Sequence, residues 1–195
     1  HEPFGPIRPP QAAPKLLLTA EDGQRFDLGT RLRGRISAVQ LMFTGCSATC
    51  PIQGALFGAL APLLAGQREM QLLSLSIDPL GDSPAALRAW RERFGTQALW
   101  QAALPRIDEL DRLLDFLRGR AQGLDRHTAQ IYLFDRQARL ARVDGEALGP
   151  RPAQVAEPVA EIAARREREQ VVPSRIRDEQ PEREERHHVA EVGVR

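Results

Sequence analysis

The chain has 195 residues, a length that suits one ordinary domain and leaves little room for two. Its 27 basic and 26 acidic side chains give a net charge of +1, which argues against a protein that mainly binds nucleic acid or an anionic membrane electrostatically. No window approaches the roughly 18 consecutive apolar residues of a membrane span. Only 2 cysteines are present, which excludes a disulfide-rich small fold and a four-cysteine zinc site.

The start of the chain is rich in proline and begins at His1 instead of methionine. This composition predicts that residues 1–14 form an extended, poorly ordered lead-in or linker. We expect that the chain is processed or trimmed, because a missing membrane anchor or a cleaved signal peptide would explain both the start at His1 and the proline-rich lead-in. Two short apolar runs, Leu16–Leu18 and Phe26 to Leu28, flank the turn signal Glu21-Asp22-Gly23 and predict a hairpin at the front of the domain.

Strand and helix patterns alternate through the body of the chain. Arg35–Thr44 and Met70–Ile77 are continuous apolar runs that predict buried strands, and each precedes a helix start, at Pro51 and at Ser83-Pro84. The remaining pattern gives an ambiguous segment at Ala98–Leu104, a helix at Ile107–Leu117, a strand at Gln130–Phe134 with its hairpin partner Leu140–Val143, and a last helix through Val155, Val159 and Ile162. The alternation predicts an α/β sheet flanked by helices over residues 15–165, and residues 166–195 form a charged tail that we expect to be disordered.

Both cysteines lie in one short motif, Cys46-Ser47-Ala48-Thr49-Cys50-Pro51, between a predicted strand and a predicted helix. The N-terminus of a helix favours thiolate over thiol, and side chains four positions apart share one helix face. Such a pair can form a disulfide or bind a soft metal ion such as Cu(I) or Zn(II). An iron–sulfur cluster usually needs four ligands, which the chain lacks. The alternative is two unrelated buried cysteines that act as small apolar side chains.

The histidines are His1, His127, His187 and His188, and only His127 lies outside the segments expected to be disordered. In a thioredoxin-like sheet, the loop that precedes the strand Gln130–Phe134 would lie against the cysteine turn. His127 would then join Cys46 and Cys50, although a lone histidine is more often an ordinary surface or core residue. Two thiolates and one imidazole suit copper, or zinc with an open coordination position that no obvious residue completes.

Three blocks of this sequence carry a resemblance to a known family. They are Met42–Pro51, with the cysteine motif, Leu75–Pro84, with Ser-Ile-Asp-Pro and Asp-Ser-Pro, and His127–Asp135, with His-Thr-Ala and Tyr-Leu-Phe-Asp. In their order and spacing they are similar to the Sco/SenC family of copper-binding, thioredoxin-fold assembly factors for cytochrome c oxidase. Many members have Pro-Asp between the cysteines and aspartate before the histidine, where this chain has Ser47-Ala48-Thr49 and Arg126.

The resemblance implies a thioredoxin-like α/β fold, a central mixed sheet flanked by helices with an N-terminal hairpin. It also implies that Cys46, Cys50 and His127 ligate copper as Cu(I), Cu(II) or both. Asp78 would then lie near the site, or would fix the turn with Pro79. Asp82 or Ser83 is expected to cap a helix.

The implied function is a copper metallochaperone that delivers copper to the dinuclear copper centre of cytochrome c oxidase. The alternative is a thiol–disulfide oxidoreductase in which Cys46 and Cys50 are catalytic and reduce the cysteines of a copper-site partner. A third possibility is a binding module whose charged tail carries the interaction. The expected partners are the copper-site subunit of the oxidase and a copper-donor chaperone, with no nucleic acid. The expected location is the periplasmic side of a bacterial inner membrane, with the membrane reached only through the missing anchor.

Overall fold

The computed structural model describes residues 5–122 and 126–144, which form eight strands and four α-helices. The strands are β1 Gly5–Ala12, β2 Leu17–Ala20, β3 Arg25–Asp27, β4 Ile36–Met42, β5 Met70–Ser76, β6 Trp100–Pro105, β7 Ile131–Phe134 and β8 Arg139–Asp144. The helices are α1 Leu28–Leu32, α2 Thr49–Leu64, α3 Pro84–Glu92 and α4 Leu110–Leu117.

The strands form one mixed sheet in the order β1-β8-β7-β4-β5-β6-β2-β3. Strand β4 pairs in parallel with β5 and antiparallel with β7, and β5 pairs in parallel with β6. All residues of β4 and β5 are buried, as their continuous apolar sequences predict for strands covered on both faces. The front hairpin is β2 and β3, paired antiparallel. The predicted α/β sheet with an N-terminal hairpin is therefore confirmed.

Helices cover both faces of the sheet. Successive residues of β7 point to opposite faces: Ile131 packs in one apolar cluster and Tyr132 in the other. The first cluster contains residues from α2 and α3, among them Phe57 and Trp90, and the second contains residues from α1 and α4. The prediction of a central sheet flanked by helices is thus confirmed from the packing of both faces.

The N-terminal residues differ from the sequence expectation of a poorly ordered lead-in. Gly5–Ala12 is extended but forms strand β1, which pairs antiparallel with β8 from Gly5 opposite Val143 to Ala12 opposite Arg139. The register shifts between Pro6 and Gln11, where two further prolines lie. Proline has no amide hydrogen to donate, and an edge strand with an irregular register tolerates it.

Other boundaries shift for local reasons. The ambiguous segment 98–104 contains all of β6 except its last residue, Pro105. The helix expected at Ile107–Leu117 begins with a 3-10 turn, Ile107–Glu109, before α4. Helix α2 begins at Thr49, before Pro51. Several predictions fall outside the described residues. They concern the last helix through Val155, Val159 and Ile162, the charged tail 166–195, and the histidines His1, His187 and His188. Within the described ranges, no helix is both long enough and apolar enough to span a bilayer.

Candidate metal centre

The sheet topology brings three loops to one edge. Strands β4 and β5 are parallel, so the segments that follow them leave from the same edge of the sheet. Strand β7 is antiparallel to β4, so the segment that precedes β7 enters at that edge as well. The cysteine turn follows β4, the loop that contains Asp78 follows β5, and His127 precedes β7. Residues far apart in sequence therefore meet at this edge.

The structure brings Cys46, Cys50 and His127 together. One potential ligand atom from each residue lies within 4.8 Å of the others. The Cys50 Sγ is 3.3 Å from the His127 Nε2, and the two cysteines are not joined by a disulfide. Cys46, Cys50 and His127 are 8%, 0% and 3% exposed. Two sulfurs and one imidazole nitrogen thus converge in a nearly closed site that can bind a soft metal ion or form a disulfide.

The first turn of α2 holds the Cys46 sulfur in place. The N-cap residue Ala48 provides no side-chain hydrogen bond to the helix. The backbone N–H of Cys50 instead donates to Cys46 Sγ at 3.3 Å. The Cys46 sulfur therefore accepts one of the hydrogen bonds that the helix start leaves open.

Two contacts orient His127. Its Nδ1 is 2.9 Å from the carbonyl oxygen of Thr128, and because a carbonyl only accepts, Nδ1 carries a proton and donates it. Nε2 then faces Cys50 as the atom available for a metal. The loop itself is held by the Thr128 N–H, which donates to the Gly119 carbonyl at 2.8 Å, and by a bridge between Arg120 and His127.

Asp82 is a buried carboxylate that supports the cysteine turn, and the expectation that Asp82 or Ser83 caps a helix is confirmed at Ser83. Ser83 is the N-cap of α3 and accepts from the Ala86 N–H at 3.2 Å. Asp82 accepts from the Thr44 N–H at 3.2 Å, from the Thr44 hydroxyl, and from the Ser76 hydroxyl at 2.6 Å. It thereby ties the end of β5 to the start of the cysteine turn. The pairing with Thr44, 38 residues away, leaves no local signal in the sequence.

Asp78 takes part in both of the roles considered for it, but it does not belong to the group of three ligand atoms. Its Oδ1 accepts from the Gly81 N–H at 3.2 Å, which fixes the turn after β5. Its Oδ2 forms an ion pair with Arg126 at 3.6 Å, which links that turn to the histidine loop. The Arg126 guanidinium also lies 5.1 Å from the centre of the Phe43 ring, which contacts His127 edge-to-face at 6.0 Å.

Solved structures with this architecture are numerous. A SCO1/SenC family lipoprotein from Bacillus anthracis is 21% identical, with 80% of this chain and 99% of that chain covered and a TM-score of 0.68. Yeast Sco1 with copper bound is 20% identical, with 89% and 97% covered and a TM-score of 0.67. BsSco, described with a disulfide switch as a member of the Sco family of cytochrome c oxidase assembly proteins, is 16% identical, with 84% and 99% covered and a TM-score of 0.70.

At these identities the likeness shows a shared thioredoxin-like fold, as the sequence predicted. A comparison of the sequence with curated proteins gives no match. The family model for SCO1/SenC matches residues 7–164, which is most of the chain and includes the cysteine turn, the Asp78 loop and the histidine loop. The chain therefore belongs to the SCO1/SenC family.

Proposed function

We propose that the protein is a copper metallochaperone and that Cys46, Cys50 and His127 hold the copper it carries. The observation that carries this proposal is the approach of three soft donor atoms to within 4.8 Å of one another. Thiolates and imidazole prefer copper over hard cations, and the orientation of His127 leaves Nε2 facing the sulfurs. The copper-bound yeast relative supports the same cargo.

A site with three protein ligands suits transfer, because an incoming ligand can bind the ion before the first ligands leave. We infer that the recipient is the copper-site subunit of cytochrome c oxidase and that its dinuclear centre receives the ion. The description of the Sco family as oxidase assembly proteins supports this recipient. A second protein would supply the copper. The relative from Bacillus anthracis is a lipoprotein, which supports a location at a membrane, and we infer that this chain works on the outer side of a bacterial inner membrane.

The same two cysteines favour a second candidate function, thiol–disulfide exchange. Their sulfurs lie within 4.8 Å, so modest side-chain rotation brings them to the bonding distance of about 2.05 Å. One thiolate would attack a disulfide of the partner and form a mixed disulfide. The other cysteine would then displace the partner's sulfur. Two electrons pass to the partner, which leaves as a dithiol, while Cys46 and Cys50 become a disulfide.

Copper stoichiometry separates the two functions. Reduced protein is loaded with Cu(I) without oxygen, and wild type is compared with His127→Ala and with the double variant Cys46→Ala/Cys50→Ala. We expect one tightly held copper per wild-type chain and its loss in both variants. Ser47→Ala, an exposed change inside the same turn, should keep the copper. Thiol exchange would be favoured if the wild-type protein binds no copper, or if His127→Ala binds as much copper as the wild type. The reduction potential of the cysteine pair would then be measured.

A further inference from the structure

Arg126 is the outermost member of a stack that ends at a ligand of the candidate site. The three ligand residues are almost wholly buried, so a partner first meets the more exposed residues that cover them. Arg126 directly precedes His127, and its side chain is 58% exposed. Its guanidinium lies on the Phe43 ring, and that ring packs against His127. A group that binds Arg126 is thereby placed next to the copper ligands.

We propose that Arg126 is the docking residue for a carboxylate on the protein that exchanges copper or thiols with this site, an inference that rests on the proposed function. Its contact with Asp78 is 3.6 Å long, which is an ion pair beyond hydrogen-bonding distance. Among residues 5–122 and 126–144, the Arg126 guanidinium donates no hydrogen bond to another residue. A guanidinium carries five N–H donors, so Arg126 can bind an incoming carboxylate through two of them.

The backbone of Arg126 is fixed by the loop, while its guanidinium can readily change its binding partner. Arg126 has a φ of 56°, a left-handed conformation that disfavours residues with a Cβ. Its carbonyl accepts from the Ala121 N–H at 3.3 Å, so the loop maintains this conformation. Within the described part of the chain, the side chain makes an exposed ion pair and a stacking contact, and both are weak interactions. A carboxylate from a partner can replace Asp78 without unfolding the loop.

Exposed apolar side chains in the Asp78 turn and in the first turn of α2 favour a protein segment as the source of the carboxylate. Leu80 is 81% exposed and lies two residues after Asp78 in the chain. Ile52 is 45% exposed and lies two residues after Cys50. Exposed apolar groups in the segments around a binding site are typical of protein interfaces, whereas a small dissolved anion would leave them exposed to water. The partner therefore presents an acidic side chain and an apolar side chain beside its own soft ligands or thiols.

Two alkylating reagents that differ only in charge test the role of Arg126. A thiolate displaces iodide from either iodoacetate, which carries a carboxylate, or iodoacetamide, which is neutral. The rates are measured on reduced, metal-free protein, and their ratio is divided by the ratio for cysteine in solution. Each reagent can attack either Cys46 or Cys50, so the alkylated residue is identified by mass spectrometry and the rates are compared for the same sulfur. A change in the ionisation of that thiol then alters both rates equally and cancels in the ratio.

We expect wild-type protein to favour iodoacetate and Arg126→Gln to lower this preference several-fold. Arg126→Lys should keep most of it, Asp78→Asn should increase it, and added salt should weaken it. Arg106→Gln is the matched control, because Arg106 is equally exposed, at 59%, and is paired with Asp108 beyond β6. An unchanged ratio in Arg126→Gln, or an equal change in Arg106→Gln, would overturn the proposal. The assay contains no copper, so its result stands apart from the stoichiometry that tests the proposed function.

Discussion

The carboxylate of Asp82 should be needed for the cysteine turn to bind copper tightly. Asp82→Ala removes the acceptor for three hydrogen bonds, two from Thr44 and one from Ser76. Asp82 and Ser76 are buried and Thr44 is half-buried, so water replaces these bonds only in part. A loss of about 1 kcal/mol for each bond lowers the free energy of unfolding by about 3 kcal/mol. For a chain of this length that corresponds to a fall of about 6–12 °C in Tm.

Part of this loss should appear as weaker copper binding, because the turn that presents Cys46 must then be ordered by the metal. If about 1.4 kcal/mol of the loss falls on the turn, the Kd for Cu(I) rises about tenfold. The assays are chemical unfolding of the reduced, metal-free protein and competition for Cu(I) against a chromophoric chelator. Asp82→Asn keeps one acceptor oxygen and should lie between wild type and Asp82→Ala in both assays.

Ser83→Ala is the control for a simple loss of stability. It removes the N-cap hydrogen bond of α3, which costs about 1 kcal/mol, and leaves the contacts of Thr44 in place. Its Kd for Cu(I) should equal that of the wild type. The reasoning fails if Asp82→Ala unfolds at the wild-type denaturant concentration. It also fails if Asp82→Ala is destabilised and binds Cu(I) with wild-type affinity.

Two further substitutions test other parts of the structure. Arg91→Met breaks the buried ion pair in which the Arg91 Nε lies 2.8 Å from the Glu21 Oε1. Because the Glu21 carboxylate then remains buried without its cation, chemical unfolding should show a free energy of unfolding lower by about 3–5 kcal/mol. A loss below about 1 kcal/mol would contradict this account. Gly119→Ala places a Cβ 2.3 Å from the Cδ1 of the buried Leu41 side chain, so either that side chain or the loop that holds His127 must shift. We expect a lower free energy of unfolding and, if the loop shifts, a higher Kd in Cu(I) competition. An unchanged copper affinity would show that Leu41 takes up the shift and the loop keeps its place.

The central elements could be predicted from sequence because their signals are local. Strands β4 and β5 are covered on both faces, so their sequences are continuous apolar runs that need no knowledge of their neighbours. Helix α3 begins where Ser83 and Pro84 indicate, because capping and the proline ring act within one turn. Strand β1 could not be predicted in this way, because its prolines are typical of linkers and its pairing with β8 joins opposite ends of the described chain.

The candidate site was predictable as a set of residues but not as a set of contacts. The spacing of Cys46 and Cys50 before a helix is a local pattern, and His127 was the one histidine within the predicted fold. The contact of Asp82 with Thr44 and that of Arg126 with Asp78 depend on loops that meet only through the sheet order. Capping propensity therefore indicated that Asp82 or Ser83 caps α3, but it could not indicate that Asp82 accepts hydrogen bonds from Thr44.

The sheet order has a consequence for the shape of the molecule. Strands β1 and β2 are six positions apart in the sheet, a separation of about 29 Å if the sheet were flat. The chain from Ala12 to Leu17, which joins them, can reach at most about 18 Å even when fully extended. The sheet must therefore coil until its two outer regions approach each other, with residues 13–16 acting as a clasp between them. Cutting the chain between residues 13 and 16 would remove the direct covalent link between these two outer regions of the sheet, and their packing in one apolar cluster would then have to hold them together.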